Sequence, residues 1–114
     1  MKKYHSPCPV ETTLNLIGNK WKMLIIRDLL SSTKRFGELR ASIGASKNQT
    51  ISQKVLTDNL KELESAKIIK RKVYTEVPPK VEYSLTPLGQ SLEGVLQSLS
   101  SWGESYKDSD RIRH

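Results

Sequence analysis

The sequence is poor in several features that usually indicate a particular class of protein. It has one cysteine and one phenylalanine among its 114 residues, and it has no long apolar run. The single cysteine, Cys8, excludes a disulfide within the chain and suits a reducing compartment. No window approaches the ~20 apolar residues of a membrane span, and the start MKKYH lacks the apolar segment of a signal peptide. We therefore expect a cytoplasmic protein that makes no use of a membrane.

The usual sequence signatures of enzymes and metal sites are also missing. There is no glycine-rich phosphate loop and no evident carboxylate pair. A cysteine nucleophile needs a positioned base, and the two histidines, His5 and His114, lie at the two ends of the chain. His5 and Cys8 do not have a recognised metal-ligand spacing. We expect neither catalysis nor a bound metal or cofactor.

Positive charge is what the sequence has in excess. Nineteen Lys and Arg residues stand against twelve Asp and Glu residues, which gives a formal net charge of +7. Such an excess favours a polyanionic partner. Charge alone does not identify that partner, because many basic proteins bind no nucleic acid. The arrangement of the charges along the chain is therefore more informative than their number.

Apolar spacing predicts three helices in the first part of the chain. The helical spacing of residues 11–30 is interrupted at Gly18-Asn19, which predicts two helices, the second of them the most buried. A third helix is predicted over residues 34–43, ending at Gly44. Residues 44–50 are predicted to form a loop.

A fourth helix is predicted to begin near Ile51. Thr50 and Gln53 match a capping box, and Ser52 would cap a slightly shorter version of the helix. At 100° per residue the apolar side chains gather on one side of this helix. They are Val55, Leu56, Leu60 and Leu63. The outward-facing candidates for binding are Ser52, Gln53, Lys54, Thr57, Asp58 and Lys61.

After residue 66 the pattern changes to two strands, predicted over residues 68–75 and 81–85. Two prolines at the tip between them cannot pair in a ladder, so the tip is predicted to be an exposed loop. Residues 67–80 contain five cations against one acid, Glu76. Phosphate binding requires such a cluster. The candidates for phosphate contact are Lys70, Arg71, Lys72 and Lys80.

Thr86-Pro87 predicts the start of a last helix, whose apolar stripe continues for some five turns to Tyr106. This stripe and the apolar surface of Leu14 and Leu16 offer more area than one small core can cover, which favours a homodimer. Trp21 and Trp102 are interpreted as packing residues. Residues 109–114 are polar and predicted to be disordered, which leaves residues 1–108 as one domain. The candidate interface residues are Leu14, Leu92, Val95, Leu96, Leu99 and Trp102.

The predicted order of elements is α-α-α-α-β-β-α, a mainly helical fold with a small β-hairpin that is typical of a winged helix-turn-helix. In that fold the fourth helix enters the major groove of DNA while the hairpin, the wing, contacts phosphates. Gln53 can pair with adenine, Lys54 with guanine and Asp58 with cytosine. Thr57 can meet a thymine methyl group or a phosphate. The alternative is that this polar face is simply solvated, but the basic hairpin beside it favours DNA.

The chain resembles the HxlR family of bacterial winged-helix transcription regulators, a branch close to MarR-type regulators. The resemblance covers residues 8–103. It rests on CPVETTLNLIGNKWKMLIIRDLL, RFGELR, ISQKVLTDNLKELE, VYTEVPPKVEYSLTPLG and the tryptophan of SSWGE. It implies a homodimer on a two-fold symmetric operator, with dimer contacts from the first and last helices. The predicted loop over residues 44–50 is longer than is usual in the family.

Cys8 precedes Pro9 at the predicted start of the first helix, where backbone amides and the helix dipole favour a thiolate. The resemblance adds that similar proteins sense quinones, aldehydes or hypochlorite at an N-terminal Cys-Pro. Without a second cysteine, oxidation would link Cys8 to Cys8 of another subunit or to a small thiol. The alternative is a buried cysteine that serves as a small apolar residue.

Three functions compete at this point. The first is a sequence-specific DNA-binding regulator, with a small-molecule effector at the subunit interface as an added option. The second is a winged-helix module that binds another protein and no specific DNA. The third, an enzyme with Cys8 as nucleophile, is disfavoured because neither histidine is placed to act as its base.

Overall fold

Six helices and one two-stranded hairpin make up the part of the chain that the computed structural model describes, residues 5–47 and 50–113. The predicted class, mainly helical with a small antiparallel hairpin, is confirmed. The elements are α1 (Pro9–Ile17), α2 (Lys20–Ser31), α3 (Phe36–Lys47), α4 (Gln53–Ser65), β1 (Ile69–Tyr74), β2 (Lys80–Leu85), α5 (Pro87–Gln90) and α6 (Glu93–Arg113).

Helix α2 lies at the centre of the fold, as its apolar residues predict. It contacts α1, α3, α4, α6 and β2. Asn19 begins the helix, because its side chain accepts a hydrogen bond from the backbone N–H of Trp21 at 2.7 Å. The hydrophobic core around α2 consists of Ile17, Ile25, Ile26, Leu29, Leu39, Ile43, Ile51, Leu56, Leu60, Leu63, Ile68, Ile69, Tyr83 and Leu85.

Two charged residues of α2 are buried, which the apolar spacing did not predict. Lys22 forms an ion pair with Glu62 of α4 at 2.6 Å. Asp28 accepts a hydrogen bond from the hydroxyl of Ser42 on α3 at 2.8 Å and pairs with Arg27 at 2.9 Å. A buried charge is tolerated only when it is paired and hydrogen-bonded. These contacts therefore connect α2 to the two helices of the helix-turn-helix.

Helix α3 differs from its prediction at both ends. Lys34 lies outside it and forms a bridge to Tyr83, with backbone hydrogen bonds of 3.0 and 2.8 Å. At the other end the helix continues through Gly44 to Lys47, because one glycine costs a helix only about 1 kcal/mol and no proline follows. The loop predicted over residues 44–50 is thus shorter than expected. Residues 48–49 of that prediction lie outside the described residues.

Helix α4 buries its three leucines, but Val55 is 36 % exposed and does not join the core. The prediction that Val55 lies with the leucines is therefore wrong. On a helical wheel Val55 is roughly 80° from the edge of the arc that the leucines occupy, since each residue turns the helix by about 100°. The apolar stripe of α4 is narrower than its composition indicates.

The last predicted helix is two helices, α5 and α6. Thr86 caps α5 by accepting a hydrogen bond from the N–H of Gly89 at 3.0 Å. The Thr86 N–H donates to the carbonyl of Ile68 at 3.0 Å, which holds α5 against the end of α4 and the hairpin. Helix α6 packs on α2 instead. The chain turns at residues 91–92 because the two helices have different partners.

Helix α6 extends to Arg113, so the prediction of a disordered tail is wrong for residues 109–113. The segment contains neither glycine nor proline. Each further residue of a helix adds a backbone hydrogen bond at low entropic cost, so nothing local ends α6 earlier. None of the helices in the described ranges is both long enough and apolar enough to span a bilayer.

Candidate nucleic-acid interface

The start of α4 is held firmly and its polar side chains point outward. Ser52, and not Thr50, caps the helix, because its hydroxyl accepts a hydrogen bond from the N–H of Val55 at 3.1 Å. The preceding residue, Ile51, is buried, and its carbonyl accepts from Arg40 of α3 at 2.8 Å. Gln53 therefore begins the helix on an anchored turn and is exposed. Of the predicted base-contacting residues, Gln53, Lys54 and Asp58 are exposed to solvent on this fixed backbone, whereas Thr57 is half-buried.

Lys54 and Asp58 of this polar face contact each other. The ammonium of Lys54 donates to the Asp58 carboxylate at 2.8 Å, and this hydrogen bond raises the pKa of Lys54. Both side chains are solvent-exposed and lie one helical turn apart. A base or phosphate that binds Lys54 must therefore compete with Asp58. This pairing follows from the i, i+4 spacing of opposite charges.

The four predicted phosphate contacts of the wing lie on two faces of the hairpin. Side chains alternate along a strand, so Arg71 shares a face with the buried residues Ile69 and Tyr83, on the α4 side. Lys70 and Lys72 point to the opposite face. The register pairs Lys72 with Glu82 and Tyr74 with Lys80. The wing is thus a ridge with cations on both sides.

Tyr74 and Glu82 organise the outer face of the wing, and sequence reasoning missed both. The ammonium groups of Lys72 and Lys80 lie 4.9 and 4.8 Å from the centre of the Tyr74 ring. The Tyr74 hydroxyl donates to Glu82 at 2.8 Å. This hydrogen bond, together with Lys80 at 3.4 Å, lowers the pKa of Glu82. The alternating spacing and the hairpin register together would have indicated this cluster.

A cleft separates α4 from the wing; we call it the α4–wing cleft. It has a volume of about 250 Å³. It brings two predicted residues of α4, Thr57 and Lys61, beside Arg71 of the wing. The polar face of α4 and the inner face of the wing therefore form one continuous surface.

The predicted dimer residues fall into two groups. Leu14 on α1 is 59 % exposed, and Trp102 on α6 is 69 % exposed and stacks on Tyr106 with the ring centres 5.4 Å apart. Leu92 and Leu96 are partly buried against the protomer's own core. Trp21 also packs there, as predicted, whereas Trp102 contributes little to the core. The exposed apolar residues of α1 and α6 are Val10, Leu14, Val95, Leu99, Trp102 and Tyr106.

Cys8 is exposed at the start of α1. The interpretation of Cys8 as a buried apolar residue is therefore wrong. Its N–H donates to the hydroxyl of Ser6 at 3.2 Å, and its carbonyl accepts from the N–H of Thr12. The thiol makes no capping hydrogen bond to α1. Within the described ranges no three His, Cys, Asp or Glu residues come together as a metal site.

The family model for the HxlR-like helix-turn-helix matches residues 16–111. The chain belongs to the HxlR-like helix-turn-helix family. The matched range includes α2 to α4, the wing and most of α6, so the match covers both the polar surface and part of the exposed apolar surface.

Relatives and solved structures of this family share most of their length with the chain. The HTH-type transcriptional regulator YdeP of Bacillus subtilis (strain 168) is 50% identical over 101 residues, which span 89% of this chain and 75% of YdeP. The redox regulator HypR in its oxidized form is 46% identical, with a TM-score of 0.77 over 86% of this chain and 96% of HypR. The reduced form of the regulator YodB from B. subtilis is 39% identical, with a TM-score of 0.74 over 89% of this chain and 95% of YodB.

These findings confirm the prediction of an HxlR-type helix-turn-helix transcriptional regulator. The predicted winged helix-turn-helix fold is also confirmed, and by element order α3 and α4 correspond to its predicted helix-turn-helix and the hairpin to its predicted wing. The roles of individual residues remain predictions.

Proposed function

We propose that this HxlR-type regulator binds a two-fold symmetric DNA operator as a homodimer, with α4 in the major groove and the wing on the phosphate backbone. The observation that supports this most is the arrangement of α4. Its exposed side chains Gln53, Lys54 and Lys61 stand on an anchored helix beside a basic wing. A helix fits the major groove, whose base edges distinguish all four base pairs.

A dimer accounts for the exposed apolar surface of α1 and α6. Aromatic and leucine side chains of this number are seldom left in water by a monomer. If α1 and α6 pair with their copies across a two-fold axis, two α4 helices can reach successive major grooves, about 34 Å apart. The groove between α2 and α6, of about 510 Å³, adjoins this surface. A small effector bound there would change operator affinity if it favours one dimer geometry.

The decisive experiment compares the operator with a random duplex. Fragments that the protein retains from genomic DNA are mapped and trimmed to a minimal site, and Kd is measured on both duplexes over a salt series. We expect at least about a thousandfold preference for the mapped site. Equal Kd values would contradict the proposal.

The second candidate function, a winged-helix module that binds protein, predicts a different result. Charge reversal at Arg71 and Lys72 would then leave function intact, whereas a DNA-binding wing would lose its affinity. The exposed cations of the wing favour DNA. An enzymatic role for Cys8 would require turnover that disappears in Cys8→Ser, and we propose no such activity.

Wing and helix substitutions are expected to act differently. Lys72→Ala should weaken binding to all duplexes similarly and make the salt slope shallower by about one unit, because one phosphate contact is lost. Gln53→Ala should change the base preference at one position of each half-site by about 1–3 kcal/mol. Kd over a salt series measures the first effect, and competition between base-substituted operators measures the second. Equal effects on base preference would contradict this division.

Asp58→Asn is expected to strengthen non-specific binding. It removes the carboxylate that lies 2.8 Å from the Lys54 ammonium and leaves a side chain of the same shape. The salt slope on random duplex should become steeper by up to about one unit. Glu104→Gln is the matched control, because Glu104 pairs with Lys107 on α6, far along the chain from α4. An unchanged slope in Asp58→Asn would show that Lys54 does not contact phosphate.

We further propose that Cys8 makes operator binding responsive to oxidants. Two Cys8 thiols of a dimer would give two protons and two electrons to the oxidant and form one S–S bond, or one thiolate would displace a thiol from a small disulfide. The oxidant is expected to lower operator affinity in the wild-type protein and not in Cys8→Ser. Kd before and after treatment, with non-reducing electrophoresis, measures this. The same loss in both proteins would exclude Cys8 as the sensor.

A further inference from the structure

The α4–wing cleft contains donors that the protein itself does not use. Its lining consists of Thr57, Leu60, Lys61, Glu64, Arg71 and Tyr83. Across residues 5–47 and 50–113, the side chains of Lys61, Arg71 and Tyr83 take part in no hydrogen bond or ion pair. Lys54 and Lys72 are engaged, since Lys54 pairs with Asp58 and Lys72 lies over the Tyr74 ring. Lys61 and Arg71 of the cleft are instead available to bind an anion.

Tyr83 is the more informative residue of this lining. Only 9 % of it is exposed, and its backbone is fixed by the two hydrogen bonds to Lys34. A buried tyrosine hydroxyl normally has a hydrogen-bond partner. Within the described part of the chain this hydroxyl has none, although the residue lines the cleft. A group bound in the cleft can therefore supply the hydrogen-bond partner of this hydroxyl.

The chemistry of the lining selects an oxyanion with several acceptor atoms. Two cations and the hydroxyls of Thr57 and Tyr83 match a phosphate group, which accepts several hydrogen bonds at once. Glu64 adds one negative charge to the lining and leaves a net charge of about +1 by formal count. That balance suits a phosphodiester, which carries a single negative charge, better than a free phosphate dianion. In the proposed complex with DNA, the cleft would open between α4 and the wing, the two elements that would flank one DNA strand.

We propose that the α4–wing cleft binds one phosphodiester of the operator backbone, neutralised by Arg71 and Lys61 and hydrogen-bonded by the Tyr83 hydroxyl. This rests on the proposed function and adds to it. Because α4 and the wing both contact this phosphate, it fixes the distance between them along one DNA strand. Tyr83 is thus a specific phosphate contact and not only a core residue.

A methylphosphonate scan tests this proposal. Each phosphate of the operator is replaced in turn by a neutral methylphosphonate, and Kd is measured by fluorescence anisotropy. The wild-type protein is expected to lose about tenfold in affinity at one phosphate of each half-site. Tyr83→Phe and Arg71→Gln should bind the natural operator more weakly than wild type does. When that same phosphate is replaced, their affinity should fall by less than threefold. Lys72→Ala, on the outer face of the wing, is the matched control and should still show the full loss.

Three results would overturn the proposal. The first is a scan in which Tyr83→Phe and wild type lose the same affinity at every substituted phosphate, while both still prefer the operator. That result would exclude the phosphate site and leave the proposed function in place. The second is saturable binding of inorganic phosphate in the cleft at matched ionic strength. That result would assign the cleft to a free anion. The third is a wild-type protein with no operator preference, which removes the proposed function as well. Thermal melting of Tyr83→Phe, expected to match wild type, verifies that the variant is folded.

Discussion

Trp102→Ala is expected to dissociate the dimer and to remove operator binding at nanomolar protein concentrations. Among the α6 residues whose exposure the structure describes, Trp102 is the most exposed large apolar side chain, and it stacks on Tyr106. A tryptophan at the centre of an interface typically contributes 2 kcal/mol or more on truncation, which weakens association by roughly thirtyfold to a thousandfold. Because binding to both half-sites would require the proposed dimer, operator affinity should fall together with dimerisation. Sedimentation equilibrium and anisotropy measure the two effects on the same samples.

The control for this prediction is Lys107→Ala, an exposed position on the same helix. It should change neither the dimer dissociation constant nor the melting temperature appreciably. A wild-type protein that is monomeric at micromolar concentration would contradict the dimer proposal. A Trp102→Ala protein that stays dimeric would instead place the interface elsewhere.

Gly89→Ala is expected to destabilise the fold by about 1–3 kcal/mol or more, through overpacking. A Cβ atom at residue 89 would lie 2.2 Å from the carbonyl oxygen of Ile68 and 3.1 Å from the Leu85 side chain. The nearest atom is backbone, so it cannot rotate away. Relief requires α5 to move from the junction that Thr86 holds. Urea unfolding followed by circular dichroism measures the loss.

Gly37→Ala serves as the matched control for Gly89→Ala. Residue 37 also lies in a helix, α3, but a Cβ there meets no atom within 4 Å. Alanine should therefore leave stability unchanged or raise it by up to about 1 kcal/mol, because it is the better helix former. If both variants behaved alike, the close approach of α5 to Ile68 would be disproved.

Features that depend on spacing within one segment could be predicted from the sequence. Contacts between residues far apart in the chain could not. The polar face of α4 followed from its helical period, and the structure presents Gln53 and Lys54 to solvent as expected. The alternation of β1 would have separated Arg71 from Lys72, but the prediction grouped the wing cations together. Tyr83 was missed as a site residue because its alternating position indicates only a core-facing side chain. Its role depends on which groups surround it.

The sequence by itself determined the helices, the hairpin, the basic wing and the apolar stripe of α6, because these depend on periodicity and composition within a single segment. Only the tertiary structure decided the break between α5 and α6, the bridge from Lys34 to Tyr83 and the burial of Lys22 and Asp28. Each of these requires residues far apart in the chain to meet and satisfy one another's hydrogen bonds and charges. The α4–wing cleft belongs to this second group, since its donors come from a helix and two strands that the fold brings together.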